Sequence, residues 1–388
     1  MAGWMIAAAA LAGAALGHGA SDKLAPLPPY GAAYTPTTVD ERGVWQQADE
    51  AERDLRDSPA VVRDAALNAY MGKVLCRSVG EDRCKGVRIY VVRAPYFNAF
   101  MAPNGMMVVW TGALLRLRDE AELAAVLGHE FGHFEMRHGL KTFRRARTIG
   151  DIIAWTSVLS PYSTLPVSLV QLHFSYNRAQ ETEADLMGLR YLTAAGYRPL
   201  AASRIWERLM AEEDATALVR KRRVRHHYAA GFFADHPTEL TRATYLRDAA
   251  GADGERGEEA RDAFSTAMRP WRATFLADQI KLNDFGGSEY LLGELAGGQW
   301  TPDLLLTRGE LYRERGNPRD LVSAAQFYQQ AIDAGCTDPV AWRGLGLSLL
   351  RGQQEAAGRA ALKTYLERAP QASDRAAMAM LIGEGGVQ

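Results

Sequence analysis

The period of the apolar positions changes several times along the chain, and each change marks an element. From Asp40 to Val79 charged and apolar residues recur at helical spacing, as in VWQQADEAERDL. Two β-branched and aromatic runs follow, VRIYVV and GMMVVW. Pro, Asn and Gly bound them, which predicts strands. At Asp119 the period turns helical. DEAELAAVLGHEFGHFEMRHGL has acids in its first turn and Gly139 near its end, a start and a stop signal. A second helix is predicted over NRAQETEADLMGLRYLTAAG, closing at Gly196. Between the two helices lies an apolar stretch, Ile152 to Phe174, interrupted by Pro161 and Pro166. Neither uninterrupted piece reaches the ~20 residues of a membrane span, so two short buried or membrane-surface helices are expected there.

The ends of the chain read differently. An Ala-rich apolar block from Trp4 to Gly17 has the length of a secretory core, and residues 1–20 are expected to be a signal peptide that sends the protein to the periplasm. No Lys or Arg precedes the block, and a buried N-terminal helix is the alternative. Residues 21–39 form a Pro-rich linker, expected to be extended and mobile. The polar stretch Ala249 to Asp262 reads as a boundary after a domain over 40–250. Beyond it, 251–298 is expected to be a helical connector or degenerate repeat. Residues 299–384 carry a pattern of Trp342, Leu345-Gly346 and Leu349, with Pro370 closing it and an earlier copy around Gly309, Tyr312, Ala324 and Tyr328. This is the spacing of tetratricopeptide repeats, in which small residues let helices approach and aromatics fill the gaps. Trp342, Leu345 and Tyr365 are expected to be buried between helices.

Composition adds little to that outline. With 388 residues, 47% hydrophobic and 23% charged, the chain is ordinary globular material. Its 45 basic and 46 acidic residues give a net charge of -1, which argues against nucleic acid as a partner. Two basic runs, Lys141 to Arg147 and Arg220 to His227, either face anionic lipid as a peripheral membrane contact or are solvated surfaces. Of the three cysteines, Cys76 and Cys84 flank a turn-rich segment and are expected to pair, with Cys336 left free.

Candidate chemistry centres on VLGHEFGH. His129 and His133 lie one helical turn apart, so both imidazoles reach a single Zn²⁺, and Glu130 sits beside them to take a proton from water. Gly128 and Gly132 leave room for tight packing. On the next helix, ETEAD offers Glu181 as a third ligand and Asp185 as the acceptor that fixes a histidine tautomer. Two histidines, one Glu and one water make the open set of a hydrolytic zinc site, one ion per chain. His138, nine residues past His129, falls on the opposite face if the helix continues, and is read as structural. The strand GMMVVW, with Gly105, Met106, Met107, Val108 and Val109, is expected to be a sheet edge that adds an extended peptide, which favours unfolded segments as substrates.

Together NAFMAPNGMMVVWTGALL, DEAELAAVLGHEFGHFEMRH and NRAQETEADLMG resemble the zinc metallopeptidase family that holds HtpX, BepA and the CAAX prenyl endopeptidases, metallopeptidase family forty-eight. The resemblance covers about Asp40 to Ala250. It implies an α+β, mostly helical, gluzincin-type metallopeptidase domain with a small sheet, followed here by the all-α repeat region. It implies His129, His133 and Glu181 as metal ligands and Glu130 as general base, with Asp185 matching the family's Asp. The C-terminal repeats bring the chain closest to the BepA-like branch. There a later His-Pro, here His236-Pro237, supplies a histidine that either blocks the metal's fourth position or stabilises the transition state. The lack of long uninterrupted apolar helices departs from HtpX and the CAAX enzymes, which are membrane-embedded. The function implied is an exported endopeptidase that clears unfolded or misassembled envelope proteins, with envelope assembly machinery as a partner of the repeats. A chaperone or assembly adaptor acting through the repeats is the alternative.

Overall fold

Thr38 opens the first long helix. Its hydroxyl accepts from Glu41 N while the Glu41 carboxylate reaches back to Thr38 N, a reciprocal cap that starts α1, Val39–Asp57. The computed structural model describes residues 27–149, 176–223 and 239–383. Asp64 caps α2, Ala65–Val79, and a short α3, Glu81–Cys84, follows. Three strands come next: β1, Arg88–Val92; β2, Ala99–Met101; and β3, Met106–Trp110. After α4, Thr111–Arg116, the motif helix α5 spans Glu120–Glu135 with Asp119 as its cap. Then come α6, His138–Ile149, and α7, Arg178–Ala194, which opens on an Asn177–Gln180 capping box. The rest is helical: α8, Ala201–Val219; α9, Glu239–Ala250; α10, Arg261–Met268; α11, Arg272–Ile280; and α12, Phe285–Ala296. Last are α13, Pro302–Arg315; α14, Pro318–Asp333; α15, Val340–Arg351; α16, Glu355–Arg368; and α17, Arg375–Ile382.

The sheet corrects one expectation. Its order is β1-β3-β2, so the strand made of Met106, Met107, Val108 and Val109 is central, parallel to β1 and antiparallel to β2. The run MMVVW has no polar alternation because both faces are covered. Met107, Val109 and Val91 enter the main core with α2 and α5. Met106, Val108 and Val92 pack on Ala48, Ala51 and Leu55 of α1. Gly105 precedes the strand in the turn from β2. Its φ is 91°, and a β-carbon there would sit 2.9 Å from the Gly86 carbonyl oxygen. The outer side of β1 is partly taken, since Val62 N donates to Val91 O at 2.9 Å and Arg93 N to Ala60 O at 2.8 Å. Among the described residues the open edge is therefore β2.

Two other expectations shift. The Pro-rich linker, over its described residues 27–38, has no regular structure but is packed. Tyr30 lies 6.4 Å from the Phe131 ring and Tyr34 lies 5.8 Å from Trp45, so two aromatic anchors hold it down. The polar boundary around Ala249 to Asp262 does not separate two cores. Glu259 O accepts from the backbone of Glu120, its carboxylate pairs with Arg198 and Arg204, and the main core runs on through Phe264, Phe275 and Leu291 to Leu311.

Beyond that core each helix from α13 to α17 packs on the next. Leu345 and Tyr365 are buried; Trp342 is half-buried, with the Arg368 guanidinium 4.0 Å from its ring centre. Among the described residues no helix is long and apolar enough to cross a membrane. The signal-peptide and Ile152–Phe174 segments lie outside the described residues.

Cys76 and Cys84 form a disulfide between the end of α2 and α3, and Cys336 is a buried free thiol. The bridge closes a loop of 8 residues. Replacing both cysteines by serine should cost about 2.5 kcal/mol, read as a lower urea midpoint.

Candidate metal centre

The site is made by the close approach of α5 and α7, and glycines set that distance. A β-carbon on Gly188 would lie 3.0 Å from His129 N and 3.2 Å from its Cα; one on Gly132 would lie 3.2 Å from Ala184 O. Gly188→Val should push the helices apart, cost about 1–3 kcal/mol and deplete bound metal, measured by melting and by elemental analysis.

Across this contact three donors converge. His129 Nε2 and His133 Nε2 are 3.1 Å apart. Glu181 Oε2 is 3.7 Å from His129 Nε2, and Oε1 is 3.4 Å from His133 Nε2. Tetrahedral zinc with bonds near 2.0–2.1 Å separates its ligand atoms by about 3.3 Å. The cluster therefore fits a zinc ion without rearrangement. His133 and Glu181 are buried, while the side chains of His129 and Glu130 remain 14% and 11% exposed, so the site opens toward solvent on their side.

Asp185 Oδ1 lies 2.8 Å from His129 Nδ1 and accepts its proton, which turns the Nε2 lone pair toward the cluster. Arg242 holds Asp185 in turn: Nε donates to Oδ2 at 2.7 Å and Nη2 to Oδ1 at 2.5 Å. The same guanidinium stands 3.5 Å from Glu181 Oε2 and stacks 3.7 Å over the Trp206 ring. Tyr245 also donates its hydroxyl to Asp185. Burial alone would raise the Asp185 carboxyl, but Arg242 and His129 hold it well below the usual range. Sequence reasoning missed Arg242, Tyr245 and Trp206. Arg242 ends the stretch FFADHPTELTR in the first turns of α9, and nothing in the sequence sets it apart from Arg247 of the same helix.

Glu130 lies beside the donors, 4.0 Å from His129 Nε2. Without metal, burial pushes its carboxyl up to about 8, and Glu181 adds repulsion. The folded chain then keeps a proton that the unfolded chain releases near 4.5, so stability falls as pH rises between those values. Metal-free Glu130→Gln should melt above metal-free wild type at pH near 8.5, and the two curves should converge near pH 4, by calorimetry.

His138 is not turned away. It stands 2.9 Å from His133, because α5 ends at Glu135 and the nine-residue projection along one helix does not apply. His236 lies outside the described residues. The strand residues Met106 to Val109 lie in the middle of the sheet, and β2 is the strand next to α5.

This fold and donor set define a mononuclear metallopeptidase centre, with both HExxH histidines from α5 and Glu181 from α7. Residues 62–250 match the model of peptidase family M48, and the chain belongs to that family. It is 32% identical over 189 residues to the mitochondrial metalloendopeptidase OMA1 of Schizosaccharomyces pombe, covering 46% of this chain and 52% of that protein. It is 27% identical over 190 residues to a putative beta-barrel assembly-enhancing protease of Vibrio cholerae, covering 45% of this chain and 39% of that protein. The metalloprotease LoiP of Escherichia coli is 27% identical over 235 residues, covering 57% of this chain and 86% of that protein. The chain thus spans about half or less of the first two relatives. The three names differ, so the likeness places the chain in the family and not in one branch of it.

Proposed function

We propose that this chain is a zinc-dependent endopeptidase that cuts unfolded or misassembled proteins. The observation that carries the reading is the convergence of His129 Nε2, His133 Nε2 and the Glu181 carboxylate with Glu130 at their open side. Zinc held by those three residues supplies a Lewis acid that acidifies water and polarises a peptide carbonyl. Glu130 takes the proton of the attacking water and returns it to the leaving amine. Asp185 keeps His129 in the tautomer that offers Nε2, and Arg242 keeps Asp185 ionised while standing beside the Glu181 carboxylate. The peptide lies along β2, whose outer edge has no partner strand among the described residues and which packs beside α5. Backbone pairing there accepts extended chain of any sequence, which favours unfolded segments. Incubating a denatured model protein and its folded form with the enzyme tests this: the denatured form should be cut faster, and equal rates would contradict it.

We place the enzyme in the periplasm. The apolar block at residues 4–17 and the Cys76–Cys84 bridge support an oxidising compartment. The name of the Vibrio relative supports misassembled β-barrel proteins and their assembly machinery as the setting. The basic α6 offers a peripheral contact with anionic lipid.

We read α13 to α16 as tetratricopeptide-like repeats that select partners. Tyr328 supports this, filling the gap left by Gly309 and Gly344: a β-carbon at Gly309 would come within 2.8 Å of its ring, and one at Gly344 within 2.2 Å. Since the main core continues to Leu311, truncation after Ala250 would expose it, and exposed substitutions on α14 and α16 are the sounder probe. His236, three residues before the start of α9, is proposed to regulate the fourth metal position, because α9 delivers Arg242 into the site. His236→Ala should raise basal cleavage at unchanged zinc. A fall of more than about tenfold would instead make it a transition-state residue.

A further inference from the structure

We propose that His138 is a positioning residue of the metal centre: with Glu183 it forms a relay that sets the tautomer of His133 so that its Nε2 lone pair faces the zinc. The proposal rests on the zinc reading above. Nothing in the HExxH or ETEAD spacing assigns either residue this role.

The relay depends on a break in the chain. The motif helix stops at Glu135, Met136 is its C-cap, and Arg137 takes a left-handed φ of 59° before α6 starts at His138. On a continuous helix a residue five past His133 would point well away from it, at about 100° per residue. The left-handed step folds the ring back. His138 becomes fully buried, with its Nδ1 2.9 Å from His133 Nδ1 and its Nε2 3.1 Å from a Glu183 carboxylate oxygen. Gln180 Nε2 reaches the His138 carbonyl at 3.4 Å, which ties the start of α6 to α7. Tyr176 closes the other face of His133, stacked at 3.9 Å between ring centres.

Proton bookkeeping then fixes a direction. Glu183 ionised only accepts, so the His138 proton belongs on Nε2 and its Nδ1 carries a lone pair. That lone pair accepts from His133 Nδ1–H, which leaves His133 Nε2 as a lone pair aimed at Glu181 and His129. The reverse order puts a proton on His133 Nε2, in the space the metal needs, and turns a His138 lone pair onto the Glu183 carboxylate. Asp185 does the same for His129 in one step. One helix therefore sets both histidines: Glu181 is the ligand, Asp185 orients His129 directly, and Glu183 orients His133 through His138. Glu183 is 57% exposed, so the outer link is the weaker one.

The test measures zinc affinity by chelator competition, and the absorption of the cobalt-substituted protein, in wild type, His138→Phe, His138→Asn and Glu183→Gln. Phe keeps the ring volume and removes the acceptor. Asn restores an acceptor near the Nδ1 position. His138→Phe should bind zinc about 10–100-fold more weakly and shift the cobalt spectrum, while its metal-free melting temperature stays close to wild type. His138→Asn should regain most of the affinity, and Glu183→Gln, a surface change that keeps the fold, should lose about threefold to tenfold. His138→Phe with wild-type affinity, or His138→Asn as weak as His138→Phe, overturns the relay. If His138→Phe does not fold, Glu183→Gln decides, and unchanged affinity and spectrum there overturn it. Wild-type protein that binds no zinc would instead overturn the metal reading itself.

Discussion

Glu181→Ala should purify with almost no zinc and cut no substrate. Glu181 is the only carboxylate of the three converging donors, it is fully buried, and its two oxygens reach toward both histidines at 3.4 and 3.7 Å. Removing it leaves two imidazoles, too few to hold the ion against competing chelators. The same loss is expected for His129→Ala and His133→Ala, by elemental analysis after dialysis. Full occupancy in the Glu181 variant would remove that residue from the ligand set.

The second large effect separates binding from chemistry. Glu130→Gln should keep about one zinc per chain and lose about 10²–10⁴-fold in cleavage rate, the range for a lost general base. Gln matches the carboxylate in size and cannot take a proton, and Glu130 stands 4.0 Å from the nearest ligand nitrogen without being one of the three donors. Product mass spectrometry on a denatured protein reads the rate. A variant that loses zinc together with activity would make Glu130 a metal residue.

The first ring of the site was legible in the sequence because it is local. A four-residue spacing on a helix puts His129 beside His133, and ETEAD repeats that geometry for Glu181 and Asp185. What was lost depends on chain direction or on distant packing. His138 was placed on the wrong side because a left-handed Arg137, a residue with no turn propensity, ends the helix two residues before Gly139 could signal it. Arg242 comes from a helix 57 residues beyond Asp185, and only tertiary packing brings its cation to the buried carboxylate. In the sheet, MMVVW was taken for an edge although its unbroken apolar pattern is that of a strand covered on both faces. The true edge, Ala99–Met101, is too short to show a period of its own. The polar stretch Ala249 to Asp262 read as a boundary because the partners of its charges are distant in sequence, Glu259 pairing with Arg198 and Arg204.

The claim that this chain is a zinc endopeptidase is tested most directly by stripping the metal and restoring it. Wild-type protein is dialysed against a chelator, divided, and incubated with a denatured protein substrate with and without one equivalent of zinc. Peptide products are then followed by mass spectrometry. The account predicts internal cleavage in the restored sample, none in the stripped sample, and cleavage at least about 100-fold slower in zinc-loaded Glu130→Gln. Cleavage of equal rate in the stripped sample, or in Glu130→Gln carrying zinc, would contradict it.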